Sequence, residues 1–537
     1  LKKCMSATVD FYGTNMKVLN LYGDWAQERN IEWRDVGHSI TEIDSKRGMS
    51  SHMRNPFIAI ASKNADENNG DIYSMSLTYS GNFAAYTEGS YVGGTRMTIG
   101  INPFDFSWRL ESGEQFTTPE AVLVYSDKGI GSMSRIYHKF FRERLCRGKF
   151  RNVVRPIVIN NWEGTLFDFN EDKLIEIAKK GAEAGFEMFV LDDGWFGKRN
   201  NDRSSLGDWY VNTNKLPNGI SSLAERINSM GLKFGLWIEP EMISPDSDLY
   251  RKHPDWCIHA SGRHRTENRQ QLVLDLSRSD VREYILNVLT TLLSNTGIEY
   301  VKWDCNRNIT ETQNMEQRHR YVLGLYEILE NITRKFPDVL FESCSGGGGR
   351  FDPGMLCYMP QTWTSDNTNP ISRLSIQYGT SIVYPTITMT AHVGAIDVGY
   401  EKKNKYMEFC AHTAMAGNFG YELDLTKLSQ TELNQTIEYV ALYKKIRETI
   451  QFGELYREEN PYNSDYTSWY FKDDRYIVLF TYQLKPKTNA EERRIKLKGA
   501  DTQKKYQMNG KIYDGEILQN VGLGIELSGE NYKSNIY

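Results

Sequence analysis

SDVREYILNVLTTLLSNTGIEYVKWD, residues 279 to 304, contains one complete unit of the pattern that decides the fold. Its first part, 279 to 297, carries apolar side chains at helical spacing, and its second part, 298 to 304, is an apolar run of strand length. The same rhythm of strand, loop and helix occurs eight times from residue 155 to residue 424. Strands that alternate with helices predict parallel βαβ units, and eight of them predict an α/β fold, the (β/α)8 barrel.

The eight predicted strands each end near a polar residue. Helices predicted at 172 to 185 and 221 to 231 separate several of them. A doubly wound sheet is the alternative, but no G-x-G-x-x-G follows the first strand. The predicted strands are RPIVINN (155 to 161), EMFVLDD (187 to 193), KFGLWIE (233 to 239), IEYVKWD (298 to 304), VLFESC (339 to 344), QTWTSD (361 to 366), SIVYPT (381 to 386) and NFGYELD (418 to 424).

The pattern differs on either side of this region. Residues 1 to 130 contain short alternating segments broken by Gly, Asn and Asp, which predict an N-terminal β-sandwich. Residues 131 to 150 contain a predicted linker helix, and 151 to 451 hold the barrel. From 452 to 537 the chain returns to short strands, which predict a small C-terminal β-sandwich.

The composition excludes several classes of protein. The 64 basic and 69 acidic residues give a net charge of −5 without a basic block, so neither nucleic acid nor an anionic membrane is an expected partner. The seven cysteines form no CxxC pair, and their odd number argues against a disulfide framework. We therefore expect a cytoplasmic location. No apolar stretch reaches the roughly 18 residues of a membrane span.

Two carboxylates are the candidate catalytic residues. Asp304 closes the strand quoted above, and Asp366 closes another in TWTSDNT. The C-terminal ends of barrel strands meet at one face, where barrel enzymes build their active sites. Two carboxylates at that face suit a glycosidase, in which one stabilises an oxocarbenium-like transition state and the other protonates the leaving oxygen.

Further polar residues follow the same strands. Asp192 and Asp193 are adjacent and would point to opposite sides of a regular strand, but a turn after the strand would bring them together to bind sugar hydroxyls. Lys302 lies two residues before Asp304, so we expect it to share that side of the strand and to keep Asp304 ionised. Other strands end in Trp162, in Trp237 with Glu239 and Glu241, and in Cys344.

Motifs of other enzyme classes are missing. The glycine run FESCSGGGG (341 to 349) is followed by Arg350, not by the GK[ST] of a phosphate-binding loop. No G-x-S-x-G elbow of a serine hydrolase occurs. His392 and His412 have no cysteine or carboxylate at ligand spacing, so we interpret both as structural and expect no metal or other cofactor.

Five barrel motifs occur in order: LDDGWFG (191 to 197), GLWIEPEM (235 to 242), YVKWDCN (300 to 306), CSGGGGRFDPGML (344 to 356) and YMPQTWTSDNT (358 to 368). Outside the barrel are RGMSSHMRNPF (47 to 57), GINPFDFSW (100 to 108) and FGELYR (452 to 457). Together they resemble the bacterial family 36 glycoside hydrolases, the retaining α-galactosidases. The resemblance implies a β-supersandwich, a (β/α)8 barrel and a β-sandwich. It also implies catalysis without a metal on melibiose- or raffinose-type oligosaccharides, and a homotetramer.

The resemblance also implies a role for each site residue. Asp304 would be the nucleophile and Asp366 the acid/base. Asp192 and Asp193 would bind the galactose O4 and O6, and Lys302 would bind on the O3 side. The remaining sugar contacts would come from Cys344 and Gly346 on the O2 side, and from Trp162, Trp237 and Arg269.

Three features depart from the family pattern. The N-terminal domain is shorter, as though its first half were absent. Asn369 stands where an Asp is usual, and AHVGAIDVG (391 to 399) differs from the usual H-V-S-x-x-P-N. We expect the last two to lie near the pocket mouth and to shift substrate preference without changing the chemistry.

Two other functions remain open at this point. An α-N-acetylgalactosaminidase of the same family would differ only around the sugar C2. The chain could also be a carbohydrate-binding protein of the same fold that has no catalytic activity. The presence of both Asp304 and Asp366 argues against this function.

Overall fold

The computed structural model describes residues 1–294, 296–395, 406–488 and 492–537. Eight parallel strands form a closed barrel, because the first strand pairs with both the second and the eighth. The predicted (β/α)8 barrel is therefore confirmed. Its strands are Val158–Asn160, Met188–Leu191, Lys233–Ile238, Ile298–Trp303, Leu340–Ser343, Thr362–Trp363, Met389–Gly394 and Asn418–Glu422.

The seventh strand was predicted at the wrong place. It covers Met389–Gly394, whereas the predicted segment 381 to 386 follows a helix and leads into the 3-10 turn Thr386–Thr388. Ile382, Val383 and Tyr384 are buried against the N-terminal domain, and the Tyr384 hydroxyl donates to Asn55 at 2.7 Å. A short apolar run indicates burial, but it cannot distinguish a barrel strand from a buried loop.

Helices surround the barrel, and several of them begin at a side chain that caps them. Asn170 accepts a hydrogen bond from the Lys173 backbone N–H, and Ser429 and Glu432 form a capping box. The main helices are Glu171–Glu183, Gly219–Asn228, Ser279–Ser294, Gln317–Lys335, Pro370–Thr380, Met407–Met415 and Gln430–Phe452, and the short ones are Trp162–Thr165, Asp248–Lys252 and Pro353–Leu356. A small hairpin, Met242–Ile243 with Leu272–Val273, lies among them.

The N-terminal region consists of two antiparallel sheets. One has the order Cys4–Tyr12, Gly94–Ile101, Phe83–Gly89, Thr41–Asp44, and the other has the order Gln27–Asp35, Met16–Asp24, Arg54–Ser62, Ile72–Leu77, Ala121–Ser126. The helix Gly129–Phe140 follows and continues as a π-helical turn, Phe141–Leu145.

The C-terminal region is also built from sheets, as predicted. Its four-stranded sheet contains Glu454–Glu459, Tyr466–Lys472, Ile477–Gln483 and Lys533–Ile536. Two strand pairs accompany it, Arg493–Ile495 with Leu523–Ile525 and Lys505–Met508 with Lys511–Asp514, together with the helix Gly515–Asn520. Among the described helices, none is both long and apolar enough to cross a membrane.

One hairpin of the N-terminal region reaches the barrel mouth. Its strands end at Asp24 and begin again at Gln27. Just beyond this turn, Arg29 is buried and donates to the backbone oxygens of Gly348 and Thr364, at 3.0 and 2.5 Å. Buried guanidinium groups need such partners for their N–H groups. The hairpin is therefore anchored in the loops that follow the fifth and sixth barrel strands.

Candidate active site

A cavity of about 730 Å³ lies at the C-terminal ends of the barrel strands. All ten predicted site residues line it: Trp162, Asp192, Asp193, Trp237, Arg269, Lys302, Asp304, Cys344, Gly346 and Asp366. This is the face where barrel enzymes place their active sites. The barrel therefore brings together residues that are spread over more than 200 positions of the chain.

Asp304 is buried and accepts hydrogen bonds on both carboxylate oxygens. Trp237 Nε1 and Asn306 Nδ2 donate to Oδ2 at 3.2 and 2.7 Å, and the Cys305 backbone N–H donates to Oδ1 at 2.8 Å. Burial by itself raises the pKa of Asp304, but the charge of Lys302 and the hydrogen bonds from Asn306 and from the Cys344 thiol outweigh it and lower the pKa. Asp304 is therefore held ionised.

Lys302 acts on Asp304 through its charge and forms its hydrogen bond elsewhere. Its ammonium donates to Asp192 Oδ2 at 2.8 Å, and Asn160 Nδ2 donates to the same oxygen at 2.7 Å. Burial favours the neutral amine, but the charge of Asp192 opposes it, and the pKa of Lys302 is raised. Lys302 is thus a cation that is hydrogen-bonded to Asp192 and acts on Asp304 through its charge.

Asp192 and Asp193 both face the cavity, because the second strand ends at Leu191 and the chain turns there. Asp193 accepts a bidentate interaction from Arg199, with Nη2–Oδ2 at 2.7 Å and Nε–Oδ1 at 3.0 Å. Such a fork restrains the orientation of the carboxylate. Burial raises the pKa of Asp193 against the opposing charge of Arg199. The sequence analysis did not identify Arg199.

Asp366 lies partly buried between two indoles. Trp363 Nε1 donates to Oδ1 at 3.0 Å, and Trp25 Nε1 donates to Oδ2 at 2.9 Å. Burial and the charge of Asp304 raise the pKa of Asp366, although the Trp25 hydrogen bond opposes the rise. The pKa of Asp366 is therefore raised, whereas the pKa of Asp304 is lowered.

The glycine run allows the N-terminal region to approach. A Cβ on Gly348 would lie 2.4 Å from the Thr364 oxygen and 2.5 Å from Arg29 Nη1, and one on Gly349 would lie 2.7 Å from the His52 ring. His52 Nε2 is 2.6 Å from the Gly346 oxygen. Only glycine fits at such distances. Much of this run thus accommodates the protein's own side chains, whereas the sequence suggested that it approaches a ligand.

Glu239 and Glu241 are buried carboxyl groups behind the residues that line the cavity. Glu239 accepts from the Asn306 backbone N–H and from Gln271, so it restrains the residue that donates to Asp304. Burial and the charge of Asp304 raise the pKa of Glu239 to about 8. Glu241 is fully buried and paired with Arg350, Nη2–Oε1 at 2.7 Å. Neither of them lines the cavity.

Cys344 and Arg269 both line the cavity but differ in exposure. Cys344 is buried, and burial together with the charge of Asp304 raises the pKa of its thiol, so the thiol is neutral. Arg269 is exposed and has a left-handed backbone, with φ of 52°. Within the described part of the chain, no cluster of three or more His, Cys, Asp or Glu side chains is arranged to hold a metal ion.

Several lining residues escaped the sequence analysis. Trp25, His52 and Arg47 come from the N-terminal region, and Trp363 and Glu422 come from the barrel. Trp363 and Glu422 are the last residues of the sixth and eighth barrel strands, and both lie within predicted strands, which is a signal that could have found them. The N-terminal residues carry no such signal, because their place at the barrel mouth depends on how two regions pack.

Two departures from the family pattern, Asn369 and the segment 391 to 399, were expected near the pocket mouth. Asn369 caps the helix Pro370–Thr380 by accepting from the Ile371 and Ser372 backbone N–H groups, and it is not among the lining residues. Its expected effect on substrate preference stays a prediction. Residues 396 to 399 of AHVGAIDVG lie outside the described residues.

Comparisons with known proteins identify the family of the chain. Residues 115–453 match the Melibiase family, and residues 1–111 and 466–537 match the N-terminal and C-terminal domains of glycosyl hydrolase family 36. The chain belongs to glycosyl hydrolase family 36. It is a glycoside hydrolase of the α-galactosidase type.

Individual relatives cover the whole chain. The chain is 50% identical to alpha-galactosidase AgaA of Geobacillus stearothermophilus and 42% identical to alpha-galactosidase Mel36A of Lactobacillus acidophilus, over all of its length and 75% of theirs. The crystal structure of AgaA matches with a TM-score of 0.98 and 49% identity, and covers 100% of this chain and 76% of the AgaA chain. A variant of AgaA in complex with raffinose matches equally well, also with a TM-score of 0.98.

Proposed function

We propose that the chain hydrolyses terminal, non-reducing α-galactosyl residues with retention of configuration, with Asp304 as nucleophile and Asp366 as acid/base. One observation carries the proposal: two carboxyl groups in one pocket have pKa values shifted in opposite directions. Environments that separate two carboxyl pKa values assign an ionised nucleophile and a proton donor. The lowered pKa of Asp304 suits attack, and the raised pKa of Asp366 suits proton donation.

The reaction follows in two steps. Asp304 attacks the anomeric carbon while protonated Asp366 gives its proton to the glycosidic oxygen, and the bond to the aglycone breaks. Asp366, now a carboxylate, then takes a proton from water, and the resulting hydroxide replaces Asp304 at the anomeric carbon. Two inversions give retention. The Trp363 indole orients Asp366 during both proton transfers.

The sugar contacts explain a preference for galactose. Asp192 and Asp193 accept hydrogen bonds from the axial O4 and from O6. Lys302 holds the carboxylate of Asp192, and Arg199 holds that of Asp193. The remaining contacts come from Lys302 on the O3 side, Cys344 and Gly346 on the O2 side, and Trp162, Trp237 and Arg269. Charged acceptors left unpaired by an epimer are costly. The raffinose complex of an AgaA variant supports oligosaccharides of the melibiose or raffinose type as substrates.

A comparison of three nitrophenyl substrates tests this specificity. Hydrolysis of the α-galactoside should exceed that of the α-glucoside by on the order of 10³-fold or more in kcat/KM, because the glucose O4 leaves a buried carboxylate unpaired. The 2-acetamido α-galactoside should be slower than the galactoside, since Cys344 and the glycine run crowd C2. Comparable galactoside and glucoside rates would refute the carboxylate-pair argument. Faster cleavage of the 2-acetamido substrate would identify an α-N-acetylgalactosaminidase, and binding without cleavage a silent scaffold.

Trp25 provides a test of the acid/base assignment through pH. Trp25→Phe removes the indole N–H that lowers the pKa of Asp366, so that pKa should rise. Because Asp366 acts in its protonated form, the alkaline limb of kcat/KM on raffinose should move to higher pH. Trp33→Phe, on the same hairpin but away from the cavity, is the matched control. An alkaline limb unmoved by Trp25→Phe would contradict the assignment.

Three further inferences rest on the sequence. We infer a homotetramer from the family resemblance, which light scattering after size exclusion tests. The cytoplasmic location stays a prediction, which cell fractionation tests. The division at about residues 130, 150 and 451 also stays a prediction, and limited proteolysis measures it.

A further inference from the structure

Glu422 lines the cavity but has no part in the two-step reaction. It ends the eighth barrel strand, and its backbone pairs with Asn160 on one side and Gly394 on the other. Glu422 is therefore level in the barrel with Asn160, whose side-chain amide donates to Asp192. Lys302 and Asp192 line the same cavity. A carboxyl group in this position needs an explanation of its own.

A glycine makes room for a histidine beside Glu422. His392 on the seventh strand pairs with Gly420, and a Cβ on Gly420 would lie 2.6 Å from the ring Cδ2 and 2.7 Å from Nε2. Both distances are far below van der Waals contact, so a side chain at 420 would displace the ring. The ring also packs on the indole of Trp363, with centroids 4.8 Å apart. Packing thus holds His392 in the barrel interior.

The polar atoms of this pair are unsatisfied. In the part of the chain that the structure describes, His392 Nδ1, His392 Nε2 and Glu422 Oε2 are buried without a hydrogen-bond partner. Nδ1 lies 3.5 Å from Oε2, which a small side-chain rotation would shorten to a hydrogen bond. Unpartnered buried polar groups are rare, and each needs an explanation. A proton on Oε2 that points to Nδ1 would satisfy two of the three atoms.

The surrounding charges decide which group carries that proton. Lys302 is the cation facing Glu422, and its ammonium already donates to Asp192. Burial raises the pKa of Glu422 to about 8 against the charge of Lys302, and burial lowers the pKa of His392 to about 3. Both shifts favour the uncharged form of the group, the carboxylic acid of Glu422 and the neutral imidazole of His392. The charged or titratable groups around the pair are Asp192, Lys302, Glu342, Asp366 and, beside the imidazole, Arg373.

We propose that Glu422 is a positioning residue that works as a neutral carboxylic acid, hydrogen-bonded to His392, and so leaves the ammonium of Lys302 to Asp192. This inference rests on the proposed function, because it makes Asp192 a ligand of the sugar. An ionised Glu422 would compete with Asp192 for Lys302, and the orientation of Asp192 would be lost. Galactose should therefore bind less tightly once Glu422 ionises.

Infrared difference spectra locate the proton without any substrate. The carbonyl stretching band of a protonated carboxyl group should be present in the parent protein at about pH 7 and reduced by one group in Glu422→Gln. The band should disappear from this difference at about pH 10, where Glu422 is ionised. A parent-minus-variant spectrum without the band at about pH 7 would overturn the proposal. This measurement remains decisive even where the proposed function fails, because it needs no sugar.

Calorimetric binding of galactose measures the consequence. From about pH 6 to about pH 9 the parent Kd should rise roughly tenfold, as expected for one ionisation near pH 8. The Glu422→Gln variant has no ionisable side chain at this position. Its Kd for galactose should be several-fold higher than that of the parent at about pH 6, and nearly independent of pH. His392→Ala removes the imidazole from Glu422 and should weaken binding by about tenfold at about pH 6.

A remote carboxyl group serves as the control. Burial also raises the pKa of Glu458, to about 7, and this residue lies in the C-terminal sheet. Glu458→Gln should keep the pH dependence of the parent. The proposal is overturned by a Glu422→Gln protein that keeps the parent's pH dependence, or by one that binds galactose more than about 100-fold more weakly at about pH 6. A parent that binds no galactose refutes the proposed function instead.

Discussion

Replacing Asp304 by glycine is expected to lower kcat on nitrophenyl α-galactoside by on the order of 10⁴-fold or more, the usual result of removing a nucleophile. Four N–H groups donate to its carboxylate, and glycine supplies no group that can attack in its place. The variant also leaves a space beside that carbon. Azide should enter the space, restore part of the turnover, and release β-galactosyl azide.

A variant on the same strand separates chemistry from folding. Glu299 is paired with Lys233 at the opposite end of the fourth barrel strand, so Glu299→Gln should keep the parent's kcat. The melting temperatures of both variants are measured in parallel. Ordinary turnover in Asp304→Gly, or the absence of any azide product, would show that Asp304 is not the nucleophile.

Replacing Asp366 by alanine should produce a loss that depends on the leaving group. On raffinose, whose leaving oxygen needs a proton, kcat/KM should fall by on the order of 10³-fold. An activated aryl galactoside needs little protonation, and its first step should be much less affected. The raised pKa of Asp366 gives the parent an alkaline limb, because activity is lost as pH rises through that pKa. The variant should lose the part of this limb that belongs to Asp366 and keep any loss that comes from weaker galactose binding.

The product anomer checks the same assignment independently. Retention requires the two carboxyl groups to lie about 5 to 5.5 Å apart, whereas inversion requires about 6.5 to 9.5 Å. NMR spectra of the parent reaction should show α-galactose first. Asn367→Ala removes the hydrogen bond from the neighbouring side chain to the Ala26 oxygen without adding a charge, and so controls for disturbance of the loop. Equal losses on raffinose and on the aryl substrate would rule out the acid/base role of Asp366.

The barrel was predictable where a strand is an apolar run that ends in a polar residue. Residues 298 to 304 and 187 to 193 both have this form, and both are barrel strands. The seventh strand was missed because two segments compete there. Ser381 to Thr386 is apolar for another reason, its burial against the N-terminal domain, while Met389–Gly394 carries a histidine and a threonine into the barrel interior. Periodicity reports burial and does not identify the covering surface.

The sequence by itself determined the order of the barrel units and the strand-end positions of Asp192, Asp304 and Asp366. These follow from local periods, and closing the barrel then brings all strand ends to one face. Only the tertiary structure decided the partners: Trp25 donates to Asp366 across 341 positions, and Gly420 is small because His392 lies against it. Such contacts depend on distances through space, and no local pattern in the chain encodes them.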